Sequence, residues 1–233
     1  MKYVFFSDIH GNYYALEKFL VELELIGPDK CFFLGDIFGY YYDQNAIINA
    51  LRNRQDLICL LGNHDKYFLD ILENKICPDT LISKYGNSYK DIVSKISLNN
   101  IEFVKNLPQE LEIRSEGLKI GLFHGTPDNP LNGRLYPDTI IQDPEVYKKY
   151  DYVILGHTHH KHVRKLGTTT IINPGSLGQQ RDGKGCSYVI LILPEGIVEY
   201  RQINFDIDKL VFDIHKNDGY NDNLISVLYR KSE

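Results

Sequence analysis

The sequence predicts an α/β fold: a parallel β-α-β-α-β unit in its first third, then a run of short strands in mixed order, then two closing helices. Three observations lead there. Short apolar runs alternate with amphipathic helical stretches up to residue 61. From about Leu111 strand-like runs recur with turn residues between them. No linker of domain-boundary composition divides the 233 residues, so one domain spanning 1–233, with a sizeable core, is expected.

The first strand is expected at residues 3–6. Asn12 can cap the helix that follows, whose Leu16, Phe19, Leu20, Leu23 and Ile26 form the apolar stripe of a helix lying on a sheet. Gly27-Pro28 stops it. A second strand at 31–34, a short helix near 45–53 presenting Ile47, Ile48 and Leu51, and a strand at 57–61 complete the unit. That order implies parallel strands joined by right-handed crossovers. Residues 66–106 read as mainly helical and more polar. Strands follow at 111–114, 118–123, 152–155, 162–165, 169–172, 187–193 and 197–203, punctuated by Glu116-Gly117, Gly167 and Pro194-Glu195-Gly196 as in hairpins and a meander. Helices at 207–215 and 221–230 close the chain.

Composition limits the function. With 43% hydrophobic and 24% charged residues the chain reads as globular, and a net charge of −5 without clustered Lys or Arg argues against stable, sequence-independent nucleic-acid binding. A local positive spot made by metal ions could still attract a small phosphorylated substrate. Cys31, Cys59, Cys77 and Cys186 are widely spaced and lack a C-x-x-C. They read as reduced thiols, mostly in buried strands, which suits the cytoplasm. The apolar run at the amino terminus is too short for a signal peptide, and no stretch reaches the ~18 apolar residues of a membrane span.

Chemistry concentrates where strands end. Asp8 and His10 follow the first strand, Gly35-Asp36 the second, and Gly62-Asn63-His64-Asp65 the third. His124-Gly125 follows the strand at 118–123, and Gly156-His157-Thr158-His159 the strand at 152–155. Buried strands are apolar, so reactive side chains belong on the loops leaving their carboxyl ends. In extended geometry Asp8 and His10 would leave on one face, as would His157 and His159. Asp36 has two oxygens with which to bridge two ions, and Asn63 offers a neutral oxygen. The mixed nitrogen and oxygen set suits two divalent ions of Mn, Fe, Zn, Ni or Co rather than Ca or Mg. Two such ions carry four positive charges, of which Asp8 and Asp36 return two. The surplus can stabilise a bridging hydroxide and a phosphate together.

Asp8-x-His10, Gly35-Asp36, Gly62-Asn63-His64-Asp65, His124-Gly125 and Gly156-His157-x-His159 resemble the full motif set of the calcineurin-like metallophosphoesterases, over residues 1 to about 200. Within that family the chain most resembles the small bacterial and archaeal phosphodiesterases of about this length. The resemblance implies a β-sandwich of mixed sheets flanked by helices, four layers in all, with a dimetal site at one sheet edge. It implies one metal on Asp8, His10, Asp36 and His159, a second on Asp36, Asn63, His124 and His157, and His64 as the non-ligand histidine that protonates the leaving oxygen or stabilises the transition state. The phosphoprotein-phosphatase branch carries Asp-Arg-Gly after its Gly-Asp and Glu at the position of Asp65. Here Ile37-Phe38-Gly39-Tyr40 follows instead, which favours a phosphodiesterase.

A phosphomonoesterase, a dinucleoside-polyphosphate hydrolase and a non-catalytic protein-binding scaffold of the same fold are the other readings. Intact His64 and ligand positions speak against the scaffold. Arg134, in an irregular flap at 126–137, and Arg181 are candidate substrate contacts or surface charges. Tyr40, Tyr41 and Tyr42 fit packing better than base stacking. Asn173-Pro174-Gly175-Ser176 fits a further family motif or a simple turn. His160 and His162 read as strand-edge residues, and His215 as solvated near a helix end. Asp65 receives no role, because neighbours in sequence rarely orient each other.

Overall fold

The computed structural model describes residues 1–90 and 92–231. Residue 91, inside the stretch expected to be helical, and residues 232–233, at the end of the expected domain, lie outside the described residues. Two five-stranded sheets pack face to face. The first has the order β10-β9-β1-β2-β3, built from Lys2–Phe6 (β1), Lys30–Phe33 (β2), Leu57–Cys59 (β3), Ser187–Ile192 (β9) and Ile197–Gln202 (β10). In it β1, β2 and β3 are parallel, and the β9–β10 hairpin runs antiparallel beside β1.

The second sheet has the order β4-β5-β6-β8-β7, from Glu110–Ser115 (β4), Leu118–Phe123 (β5), Tyr152–Ile154 (β6), His162–Leu166 (β7) and Thr169–Asn173 (β8). The expected hairpins form, but the meander does not. β5, β6 and β8 are parallel, with β4 and β7 antiparallel at the edges. The long excursion between β5 and β6 brings the chain back to the same end of the sheet, as a parallel pair requires.

The continuous apolar runs are explained by burial of both faces. Phe5, Phe32, Leu34, Leu122, Ile154 and Leu191 fill the space between the sheets. Val4, Phe6, Cys31 and Phe33 point the other way, toward helices Tyr13–Ile26 (α1), Gln44–Arg52 (α2) and Asn63–Leu72 (α3). Asn12 caps α1 as expected, accepting from Ala15 N at 3.1 Å, and Gly27 ends it in the left-handed region at φ 54°.

Between α3 and β4 come Asp79–Tyr85 (α4), a 3₁₀ turn at Gly86–Tyr89, Ile92–Lys95 (α5) and Leu98–Lys105 (α6). Ile207–Asp218 (α7) and Asp222–Ser226 (α8) pack on the same side around buried Tyr41, and the second half of the last expected helix tightens into a 3₁₀ turn at Val227–Tyr229. The outer face of the second sheet buries Phe123, Val153, Leu155 and Ile171 under Leu135 and Tyr147, in a segment whose helical part is the turn Pro144–Val146. All four cysteines are free thiols, only Cys77 being exposed. Among the described residues no helix is long and apolar enough to cross a membrane.

Candidate metal centre

β1, β2 and β3 run parallel, as do β5 and β6, so the five polar clusters leave their strands at the carboxyl ends and meet at one edge of the sandwich. Three groups of side chains bring ligand atoms within 4.8 Å of one another: Asp8, His10 and His159; His10, Asp36 and His64; and Asp36, His124 and His157. Asp36 is the hinge of the set, its Oδ2 lying 3.7 Å from His10 Nε2 and 3.2 Å from His124 Nε2. Asp8 Oδ1 lies 3.2 Å from His159 Nε2, and Asn63 Oδ1 lies 3.0 Å from His124 Nε2. All seven residues expected to bind metal are buried.

The backbone reaches this arrangement in an unexpected way. Asp8, His10, Asp36, His157 and His159 all have positive φ, between 51° and 70°. Neither Asp8 with His10 nor His157 with His159 is therefore an extended pair sharing one face. Each side chain is aimed by its own left-handed turn, a conformation that costs a non-glycine residue about 1–3 kcal/mol and persists only where the surroundings enforce it. Here they do. Asp8 N donates to Gly35 O and His10 N to Asp36 O, both at 3.0 Å, and His157 N donates to Asp8 Oδ2 at 3.1 Å. The first two turns are thus tied to each other and to the fifth. Close approach also needs glycine: a Cβ on Gly62 would sit 2.1 Å from Asp36 Oδ1.

The donor set fits metal ions on two grounds. His10 Nδ1 donates to Phe38 O (2.7 Å), His124 Nδ1 to Leu34 O (2.9 Å) and His159 Nδ1 to Gln179 O (2.5 Å). A carbonyl only accepts, so each neutral ring carries its proton on Nδ1 and turns a bare Nε2 inward, the tautomer that binds metal. His10 Nε2 and His159 Nε2 then face each other at 3.0 Å, an arrangement that a shared cation relieves. Second, buried Asp8 Oδ1 has no hydrogen-bond donor among the described residues. Burial pushes His157 down to about 3 and His159 down to about 4, keeping both rings neutral. At His124 burial acts the same way, but adjacent Asp36 outweighs it and carries the ring up to about 9. A divalent ion at its Nε2 would displace that proton.

Asp65, left without a role in the sequence, turns out to hold the Asp36 loop. It is fully buried and accepts from Asp36 N (2.9 Å), Gly62 N (2.8 Å), Ile37 N (2.7 Å) and Phe38 N (3.3 Å). Asp65→Asn would set an NH₂ group among those donors. It is expected to cost about 2–5 kcal/mol, lowering Tm by roughly 5–15 °C. Thermal unfolding checks this, and an unchanged Tm would contradict it.

The 173–180 loop is a second support that sequence left open. Asn173 Nδ2 donates to Gly156 O (2.8 Å), Ser176 Oγ to Asp8 O (2.7 Å), and Gln179 supplies the carbonyl behind His159. The legible signal was its position at a further strand exit.

A cavity of about 330 Å³ opens over the cluster, lined by Asp36, Asn63, His64, His157 and His159 at its floor. Both candidate arginines reach it. Arg134 Nε lies 3.0 Å from His157 Nε2, and Arg181 Nη2 lies 2.5 Å from Tyr40 OH. Lys84 and Tyr85 from the end of α4, and Tyr67 from α3, complete the wall; sequence gave no sign of them. Of the three tyrosines after Asp36, Tyr40 lines the cavity, Tyr41 is core, and Tyr42 is bound to Asp218. His160 and His162 turn to backbone carbonyls outside the three ligand groups, and His215 is exposed in the last turn of α7.

Two mixed sheets flanked by helices, with Asp, Asn and His gathered at their common carboxyl edge, define a phosphoesterase-type sandwich. The chain belongs to the calcineurin-like phosphoesterase superfamily, whose domain model matches residues 1–196. Membership implies a phosphoester hydrolase, in a family that typically uses a dimetal centre. An uncharacterized protein of Methanocaldococcus jannaschii is 32% identical over 231 residues, covering 91% of this chain and 90% of that one. Among solved structures, a hypothetical protein from Pyrococcus horikoshii OT3 superimposes with a TM-score of 0.79 at 19% identity, covering 100% of this chain and 99% of that one. A metallophosphoesterase from Sphaerobacter thermophilus gives 0.74 at 21% identity, covering 99% and 98%.

Proposed function

We propose that this chain is a metal-dependent phosphodiesterase cleaving a small, nucleotide-like phosphorylated substrate. Asp8, His10, Asp36 and His159 would hold one ion, and Asp36, Asn63, His124 and His157 the other. The observation that carries the reading is the inward convergence of three imidazoles, each fixed by a carbonyl at Nδ1, upon two buried carboxylates. Two divalent transition-metal ions bound there would neutralise phosphate charge and supply an acidified water as nucleophile.

The remaining work falls to side chains. Arg134 and Arg181 approach the cavity from the flap and from the loop after β8, against His157 and Tyr40 respectively. There they would bind and orient the non-reacting phosphate oxygens. His64 would deliver a proton to the leaving oxygen as the phosphorus–oxygen bond breaks. Burial disfavours its charged form, while Asp36 pulls the other way, and an anionic substrate against the ring adds to that pull.

Gly35-Asp36-Ile37-Phe38 places buried apolar side chains where the phosphoprotein-phosphatase branch carries a phosphate-clamping arginine, and this supports the diester. A dinucleoside-polyphosphate substrate has one observation in its favour, the third cation Lys84 on the cavity wall. Rates on bis(p-nitrophenyl) phosphate, p-nitrophenyl phosphate and a dinucleoside tetraphosphate, measured with Mn, Ni, Co, Fe and Zn, separate the readings. The diester should be turned over fastest. Activity confined to the monoester would remove the phosphodiesterase assignment, and no hydrolysis of any of them would revive a non-catalytic scaffold. Arg134→Ala and Arg181→Ala should each raise KM about 3- to 30-fold with smaller effects on kcat; unchanged KM in both would return these residues to the surface.

A further inference from the structure

The imidazole of His64 is held by a residue that no motif announces. Tyr89, fully buried at the end of the 3₁₀ turn Gly86–Tyr89, places its hydroxyl 2.8 Å from His64 Nδ1 and donates to His64 O at 3.1 Å. The two rings lie nearly parallel, 18° apart with centroids 6.2 Å apart, and Tyr85 meets the imidazole edge-on at 4.5 Å. On another side a Cβ at Gly39 would come within 2.3 Å of Nδ1, so the backbone itself walls the ring. Asp65, the carboxylate next to His64 in sequence, is occupied elsewhere, since both its oxygens accept from backbone amides.

We infer that Tyr89 is the positioning residue for His64, fixing its ring and assigning Nε2 as the nitrogen that serves the leaving group. A phenol has one hydrogen to give and lone pairs to receive. With its O–H given to His64 O, it accepts the Nδ1–H. For His64 to act as the proton donor of the proposed function, the proton it delivers would be the one on Nε2. As the phosphorus–oxygen bond breaks, its electron pair stays on oxygen and takes the Nε2 proton. His64 is left neutral with Nδ1–H still on Tyr89, and solvent restores the Nε2 proton. The hydrogen bond to Tyr89 is the same before and after, and a neutral phenol adds no negative charge beside an anionic substrate. The helical excursion from α3 to α6 thereby acquires a catalytic purpose: it carries Tyr89 and Tyr85 to the back of His64.

This inference rests on His64 as proton donor, and its test separates the two ideas. In metal-loaded protein, Tyr89→Phe should lower kcat on an aryl phosphodiester about 10- to 100-fold, leaving KM within about twofold. The loss should grow along a series of leaving phenols of rising pKa, and should vanish in the His64→Ala background. An unchanged kcat, an equal loss in the His64→Ala background, or a loss independent of the leaving phenol would overturn it. Nitrogen-15 spectra of the zinc-loaded wild-type protein give a reading that needs no variant to fold. They should show His64 Nδ1 protonated, and a bare Nδ1 would sink the assignment. Full turnover by His64→Ala would instead refute the proton-donor reading, while the spectra would still report on the Tyr89 contact.

Discussion

Asp36→Ala should empty the metal centre and abolish turnover together, the largest effect expected of any single substitution in this chain. Asp36 Oδ2 is the oxygen shared between the His10 side and the His124 side of the cluster, at 3.7 Å and 3.2 Å. Its Oδ1 accepts from His64 N at 2.8 Å, so it also sets the start of α3. Without it, Asp8 is the one carboxylate left in the candidate ligand set, facing imidazoles whose Nε2 atoms already crowd each other. Metal content is expected to fall from about two ions per chain to less than one, and kcat/KM by roughly 10⁴-fold or more. Elemental analysis of the purified variant beside its rate on an aryl phosphodiester checks both. Retention of both ions would show that Asp36 does not bridge them.

His64→Ala should divide those two effects. His64 lines the cavity, but Nδ1 is engaged by Tyr89, so it is expected to contribute to proton delivery rather than to metal affinity. The variant should keep its metal content and lose about 10²- to 10⁴-fold in kcat, the range general acids contribute, with little change in KM. Good leaving groups, which need less protonation, should suffer least. Loss of metal in step with activity would make His64 a ligand instead, consistent with its lying within 4.8 Å of His10 and Asp36. Normal turnover would leave it without a role.

What could be read from the sequence follows from where polarity is tolerated. A strand buried on both faces must be apolar, so an Asp, His or Asn just past it stands out, and five such exits carry metal-binding side chains, three of them on strands expected to run parallel. That logic located Asp8, His10, Asp36, Asn63, His64, His124, His157 and His159 together. It failed where convergence is made by backbone rather than by periodicity. Alternation suggested that Asp8 and His10 share a face, whereas positive φ at both residues aims them. Nothing in a sequence marks a non-glycine residue that tertiary hydrogen bonds force into the left-handed region.

The supporting residues were hidden for a related reason. Asp65 acts on amides of residues 36–38, and Tyr89 acts on a ring 25 positions earlier. Both are contacts between segments, without a spacing that could reveal them. Tyr40 and Tyr41 are a similar case. Adjacent and identical, one lines the cavity and the other enters the core beside α7 and α8, and only the path of the chain decides which. The meander expected after residue 110 gave way to parallel pairing of β5, β6 and β8 because turn residues signal hairpins but say nothing of crossovers.

Anomalous scattering from crystals grown with manganese, recorded on both sides of the metal absorption edge, bears most directly on the claim that these side chains form one dimetal centre. Two neighbouring peaks are predicted, both touching Asp36, one beside Asp8, His10 and His159 and the other beside Asn63, His124 and His157. A single peak, or metal bound away from Asp36 altogether, would contradict it.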